Sequence, residues 1–268
     1  MWMRLAFFLL LLATPLRAQD QDTPLTRLDT LGAGKAWQAV GRLDVDGKGF
    51  CTGTLISSDL VLTAAHCVIV EGAVVDPGRI GFRAGLRDGA SHAERRARRV
   101  LVPQDRVTDD SRMDLDMALV ELSRPVRRAG FEPAIPAGGL ARGTGVGVVS
   151  YAQERAEAPS LQSLCRTLGV WQGVAVLSCE ANFGSSGAPV FRLLRGRPVV
   201  VGVLTAISEL NGEKVSMAVR IEDVLPGLMQ RAREGDGVWA NGRQGAFQSV
   251  TPGQRRDTGA KTVRVPQR

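Results

Sequence analysis

Histidine is nearly missing from this chain: there are two in 268 residues, His66 and His92. The four cysteines form no C-x-x-C pair, and with so few histidines this argues against a zinc site. Long helical patterns are also scarce, while Gly (31 residues) and Val are plentiful, which favours a β-rich fold. The single unbroken apolar run, residues 5–13, is too short to span a bilayer. No internal repeat is visible. What remains is ordinary for a globular protein, 44% apolar and 23% charged. The length suffices for one large domain or two small ones with a real core.

The start of the chain reads as an address. Met1-Trp2-Met3-Arg4 sets a positive charge before the apolar run, and Leu16-Arg17-Ala18 follows it with a small residue at its end. That order is the order of a secretory signal peptide covering residues 1–18, with an uncleaved membrane anchor as the alternative. A secreted or periplasmic location is therefore expected. The formal charge of +7 becomes +5 once Arg4 and Arg17 are removed. An exported chain tolerates disulfides, and four cysteines allow three connectivities. Proximity favours Cys51–Cys67 and Cys165–Cys179, each worth about 3 kcal/mol on the chain-entropy model.

Residues 19–36 form a polar arm. Residues 37–128 hold a first set of short strands, at 37–45, 50–56, 60–64, 80–84, 99–102 and 117–122, recognised by alternating or compact apolar patterns between turns. A basic loop with Arg95, Arg96, Arg98 and Arg99 interrupts this set and reads as solvated surface; His92 belongs to the same surface. Residues 129–142 carry Pro133, Pro136 and Gly138-Gly139 and read as a linker. Residues 143–234 supply a second set of strands and then a helix over 221–233, with Ile221, Val224, Leu225 and Leu228 at helical spacing. Residues 235–268 are polar and Gly-rich, which predicts disorder. Six basic residues against Asp236 and Asp257 give this tail +4. It suits weak electrostatic contact with an anionic membrane or envelope surface, or plain solubilisation.

Three short motifs carry chemistry. In Gly184-Ser185-Ser186-Gly187-Ala188-Pro189, hydroxyls sit between glycines just before an apolar strand, an arrangement suited to a turn presenting a reactive oxygen. Thr63-Ala64-Ala65-His66-Cys67 ends another apolar strand, with a cysteine beside the potential base; a satisfied core histidine is the bland alternative. Asp116-Met117-Ala118-Leu119 opens a third strand, and Asp114 stands two residues away as a competitor. These motifs resemble the histidine, aspartate and serine signatures of the trypsin/chymotrypsin-like serine proteases, in that family's His–Asp–Ser order. The resemblance runs from Trp37 to Arg233, with further parallels at Lys35-Ala36-Trp37-Gln38 and Val201-Gly202-Val203.

The resemblance implies an all-β chain of two packed antiparallel six-stranded β-barrels, chymotrypsin-like, with a C-terminal helix. It implies a serine endopeptidase in which Ser186 is nucleophile, His66 general base and Asp116 its orienting acid. Backbone N–H groups of Gly184 and Ser186 form the oxyanion hole, where one donor is worth about 3 kcal/mol. No metal or cofactor is implied, no nucleic acid is expected, and the protein is expected to act as a monomer on protein or peptide substrates.

Departures from the family pattern narrow the reading. Ser185 replaces the aspartate that pairs with a freed amino terminus in trypsin-like zymogens, and no Ile-Val-Gly-Gly precedes Trp37. Another device must therefore organise the oxyanion hole. The short interval from Asp116 to Ser186 resembles the compact bacterial branch that includes glutamyl endopeptidases. Counting back from Ser186 sets Glu180 in the first specificity pocket, which suits basic side chains, or leaves it as a loop carboxylate. The lack of a histidine after His92 weighs against acidic specificity. Thr205 and its neighbours are implied to meet substrate backbone. Two rival readings use the same residues: a catalytically inactive protease-fold binding protein of the cell envelope, and a small-ester hydrolase.

Overall fold

Short apolar stretches between Gly-, Asp- and Ser-containing turns become twelve principal strands in the computed structural model, which describes residues 22–46, 48–127, 131–241 and 261–264. The first six are β1 (Val40–Val45), β2 (Gly49–Leu55), β3 (Leu60–Thr63), β4 (Ile80–Ala84), β5 (Ala93–Leu101) and β6 (Ala118–Leu122). They pair antiparallel in the order β5-β4-β1-β2-β3-β6, and β6 returns to β5, closing a barrel. The second six are β7 (Gly145–Ala152), β8 (Arg155–Trp171), β9 (Val174–Leu177), β10 (Pro189–Leu194), β11 (Arg197–Leu210) and β12 (Glu213–Arg220). Their order is β8-β7-β10-β11-β12-β9, and β9 returns to β8. Read around each ring, both sets follow the same path, first-second-third-sixth-fifth-fourth. The chain repeats a topology without repeating a sequence, and closure leaves few open strand edges.

Each barrel has its own apolar filling, with Leu43, Leu55, Phe82 and Leu119 in the first and Val148, Leu177, Val190 and Val201 in the second. Between them, Val40, Phe50 and Leu86 meet Val149, Tyr151 and Phe191. The seam also holds a polar joint. Arg42 of β1, 1% exposed, donates to the Ala156 carbonyl at 3.2 Å and to Glu157 at 3.1 Å on β8. It pairs with Asp44 at 2.9 Å and lies 5.0 Å from the Phe50 ring centroid. A buried guanidinium left without these partners would cost several kcal/mol, so this joint fixes how the barrels meet.

Three short helical segments matter here: α1 (Ala65–Val68), α2 (Gln104–Thr108) and α3 (Ile221–Arg233). The buried face of α3 is the expected Ile221, Val224, Leu225 and Leu228. It follows the second barrel yet packs on the core of the first. Arg231 donates to the Val102 carbonyl at 2.7 Å, and Arg99 to the Ala232 carbonyl at 3.0 Å. The helix thus straps the two halves together.

Three local expectations change. Arg95, Arg96, Arg98 and Arg99 lie on strand β5 rather than in a loop. Arg98 and Arg99 both pair with Glu121 of the neighbouring β6, which satisfies charges that alone looked like solvated surface. Strand β8 extends back to Arg155, through a polar stretch without an apolar alternation to announce it. Within the segment expected to be disordered, Val238–Trp239 pairs with β5, and Arg99 stacks 4.7 Å from the Trp239 ring centroid. Lys261–Arg264 runs parallel to β11 at Ala206–Glu209. In the arm, Thr26–Arg27 pairs with β8. Residues 1–18 lie outside the described residues, as does most of the tail. Among the described residues no helix is long and apolar enough to cross a membrane.

Candidate active site

Strand β2 anchors both halves of the site. Its Cys51 is disulfide-bonded to Cys67, which locks α1 and hence His66 against the first barrel. The next residue, Thr52, reaches across the seam: its N–H donates to the Ser186 carbonyl at 2.8 Å and its hydroxyl to the Gly184 carbonyl at 2.9 Å. Thr63 donates to the Thr52 carbonyl at 2.8 Å and Tyr151 N–H to its hydroxyl at 3.0 Å. Sequence reasoning passed over Thr52, one of two threonines, with Thr54, within an ordinary strand. Cys165–Cys179 is the second disulfide, tying β8 to the loop that leads to Ser186.

The structure separates the two candidate aspartates. Asp114 is half-buried and forms a local pair with Arg112, at 2.9 and 2.7 Å. Asp116, 2% exposed, receives four donors. Its Oδ1 accepts His66 N–H at 2.8 Å and Arg106 Nε at 3.2 Å. Its Oδ2 contacts His66 Nδ1 at 2.6 Å and accepts the Thr205 hydroxyl. Thr205 reaches it because β11 carries a bulge between Leu204 and Ala206, which re-aims the intervening side chain.

Burial alone pushes the Asp116 carboxyl up. The charge and hydrogen bond of His66, then Arg106 and Thr205, outweigh it and hold the group below the ordinary 3.8. A depressed folded value means stability that is complete above the unfolded value of 3.8 and is lost as pH falls through the folded one. Wild type is therefore expected to lose stability relative to Asp116→Asn only below about pH 4, checked by urea melts across pH 2–7.

The turn at residues 182–188 is held by its own polar groups. Ser185, 1% exposed, has its hydroxyl engaged by Ser150 at 3.3 Å, the Tyr151 carbonyl at 3.3 Å and Asn182 N–H at 3.2 Å. Buried Arg155 donates to Ser150 at 2.9 Å and to Ser185 at 3.4 Å. The N–H groups of Ser185, Gly187 and Ala188 are all bonded to carbonyls. Among the described residues, those of Gly184 and Ser186 are not. Two neighbouring buried donors left over in an otherwise fully bonded turn are the arrangement that receives an anionic oxygen. Among the described residues no hydrogen bond joins Ser186 Oγ to the His66 ring, whose Nε2 lies 3.9 Å from Cys67 Sγ. Cys51, His66 and Cys67 cluster tightly, but both sulfurs are spent in the disulfide and offer no thiolate to a metal.

Beside the turn lies a cavity of about 390 Å³ whose lining includes Glu154, Arg155, Glu180, Ser208, Glu209 and Lys214. Glu180 is thus a cavity residue. Thr205 is not among its lining residues; it borders a small hollow of about 10 Å³ with His66, Arg106 and Asp116.

A family profile described as the trypsin-like peptidase domain matches residues 51–203, more than half of the chain. The chain belongs to that family. Among curated proteins, the chain is 27% identical to Serine protease 23 of Mus musculus and of Rattus norvegicus, over 68% of its own length. It spans 59% of the length of those relatives. Among solved structures it resembles a Glu endopeptidase in complex with MPD, with TM-score 0.64 and 16% identity over 80% of this chain and 98% of that one. It also resembles the scabies mite inactivated protease paralogue S-D1, with TM-score 0.63 and 17% identity over 81% and 98%. At these identities the two structures speak for the trypsin-like serine protease fold.

Proposed function

We propose that the chain is a secreted or periplasmic serine endopeptidase acting as a monomer through Ser186, His66 and Asp116. The observation that carries this reading is the pair of uncommitted N–H groups, Gly184 and Ser186, on a turn bolted by Thr52 to the strand that also anchors His66. Ser186 Oγ attacks the scissile carbonyl carbon while its proton passes to His66 Nε2. The two N–H groups receive the oxyanion. His66 then gives the proton to the leaving amine, and an acyl-enzyme remains. Water attacks the ester with the proton again passing through His66, releasing the acid and Ser186. Asp116 holds the Nδ1–H tautomer throughout. The open Ser186–His66 contact closes as substrate fills the cleft, as catalytic hydrogen bonds commonly do. No cofactor or metal takes part.

Ser185 supports readiness without an amino-terminal ion pair. Its hydroxyl, Ser150 and Arg155 hold the turn from inside the second barrel. The purified protein is expected to hydrolyse an unfolded protein such as casein, with Ser186→Ala slower by at least about 10³-fold. Equal rates for the two, or no hydrolysis by the wild type, would remove the proposal.

For the 390 Å³ cavity we propose a substrate side chain of positive charge. Three carboxylates, Glu154, Glu180 and Glu209, line it against Arg155 and Lys214. A peptide library should show cleavage after Lys or Arg, reduced about tenfold in Glu180→Gln. A wild-type profile without that preference contradicts the assignment. A substrate strand laid on β11 beyond Thr205 would displace Lys261–Arg264, which pairs with that edge.

A further inference from the structure

Strand β11 is covered differently along its two halves. On one side it pairs with β10, from Arg197 to Val203, and on the other with β12, from Gly202 to Leu210. The chain before β10 is the turn that carries Ser186, and its last backbone bonds to β11 join Gly187 and Ala188 to Leu204. Beyond Leu204, among the described residues, no strand of the second barrel covers that side. Lys261–Arg264 lies there instead, parallel, in the register Ala206↔Lys261, Ile207↔Thr262, Ser208↔Val263 and Glu209↔Arg264. We propose that this edge is a peptide-binding seat and that Lys261–Arg264 is its resident occupant in cis, holding it against substrate. The effect on rate rests on the peptidase reading; occupancy of the seat does not.

The edge starts beside the chemistry. Thr205, the residue before it, is bonded to Asp116, and Gly187 N–H, next to Ser186, donates to the Leu204 carbonyl at 2.7 Å. Its Ile207, Ser208 and Glu209 line the large cavity, where three carboxylates outnumber Arg155 and Lys214. The Ser208 hydroxyl in that wall is buried and, among the described residues, has no hydrogen-bond partner. An open edge offers main-chain bonds to any extended peptide, and the pockets along it select among side chains. An excess of carboxylates selects positive charge. The resident segment, Lys261-Thr262-Val263-Arg264, is basic at both ends, and the β-branched pair between favours an extended strand. Its register sets Arg264 opposite Glu209. Because the segment belongs to the same chain, dilution does not weaken its competition as it would that of a separate inhibitor.

Proline removes the N–H that a paired strand donates, so a Thr262→Pro/Val263→Pro double variant of the full chain denies β11 its partner. Hydrogen exchange reads the edge without any substrate. With circular dichroism unchanged, the amides of Ala206–Glu209 that face away from β12 should exchange faster in the double variant. A fluorescent peptide with the sequence of residues 257–268 should bind the double variant and not the wild type, followed by anisotropy. A segment seated about nine times in ten leaves one chain in ten open, so kcat/KM for a short Arg-containing peptide should rise about tenfold. The added 257–268 peptide should then compete with that substrate. Thr262→Ala/Val263→Ala, which keeps both N–H groups, should stay near wild type. Equal exchange or equal peptide binding in wild type and proline variant overturns the proposal. So does an alanine pair that moves as far as the proline pair, or an active wild type whose kcat/KM the prolines do not raise. If exchange and binding change as expected while neither protein hydrolyses peptide, the seat stands and the peptidase reading fails.

Discussion

Gly187→Ala is expected to lower peptidase activity by up to about 100-fold and to cost about 2 to 5 kcal/mol of stability. Gly187 has φ +81°, a region that costs an L-residue about 1 to 2 kcal/mol. A Cβ there would lie 2.1 Å from Thr63 Oγ1 and 2.2 Å from the Thr52 carbonyl oxygen. Neither can retreat, because Thr63 Oγ1 donates to that same carbonyl and Thr52 N–H holds Ser186. Relief would have to come from the seam between the barrels, and overpacking of this kind adds about 1 to 3 kcal/mol. A turn displaced by a fraction of an ångström misaims Ser186, at a cost of about 100-fold in rate per ångström. Gly212 provides the control. It has the same φ, +81°, with nothing within 4 Å of a built Cβ. Gly212→Ala should cost only the backbone strain and leave kcat/KM intact, as measured by urea midpoints and peptide hydrolysis. Matching losses at the two glycines would show that the contact with Thr52 and Thr63 is unimportant.

The second large effect is at Asp116. Asp116→Asn is expected to lower kcat by about 10⁴-fold with little change in KM. Four donors converge on the two oxygens: His66 N–H and Arg106 on one, His66 Nδ1 and Thr205 on the other. An amide accepts on one oxygen and presents an N–H₂ at the other position. Turned either way, it opposes two donors in a buried site, which costs about 1 to 3 kcal/mol. If the amide nitrogen faces Nδ1, the imidazole takes the wrong tautomer to accept the Ser186 proton. If it faces Arg106, guanidinium and amide donors collide and Asp116 loses its seat. Asp114→Asn, which disturbs only a half-exposed pair with Arg112, should change kcat less than about twofold. Comparable losses at the two positions would contradict the placement of Asp116.

These expectations separate what the chain discloses in one dimension from what it does not. His66, Asp116 and Ser186 were legible as candidates because each sits in a short motif of small residues at a strand end. The disulfides were legible from proximity, and α3 from four apolar residues at helical spacing. Thr52, Arg106 and Arg155 were not, since their roles depend on partners 5 to 134 residues away and on burial that no local pattern signals. Strand β8 was hidden for a related reason: residues such as Arg155, Ser160 and Gln162 are buried polar groups whose partners come from elsewhere. The arginines of β5 misled in the same way, because Glu121 lies on the next strand. The shared path of the two barrels left no repeat to find, since strand pairing follows apolar patterning rather than residue identity.

Ser186, not its neighbour Ser185, is proposed as the activated hydroxyl. Treating the purified protein with a fluorophosphonate and locating the adduct by peptide mass spectrometry tests it directly. One adduct is expected, on Ser186, absent in Ser186→Ala and in His66→Ala and retained in Ser185→Ala. An adduct on Ser185, or folded protein with both disulfides formed and no adduct at all, would contradict it.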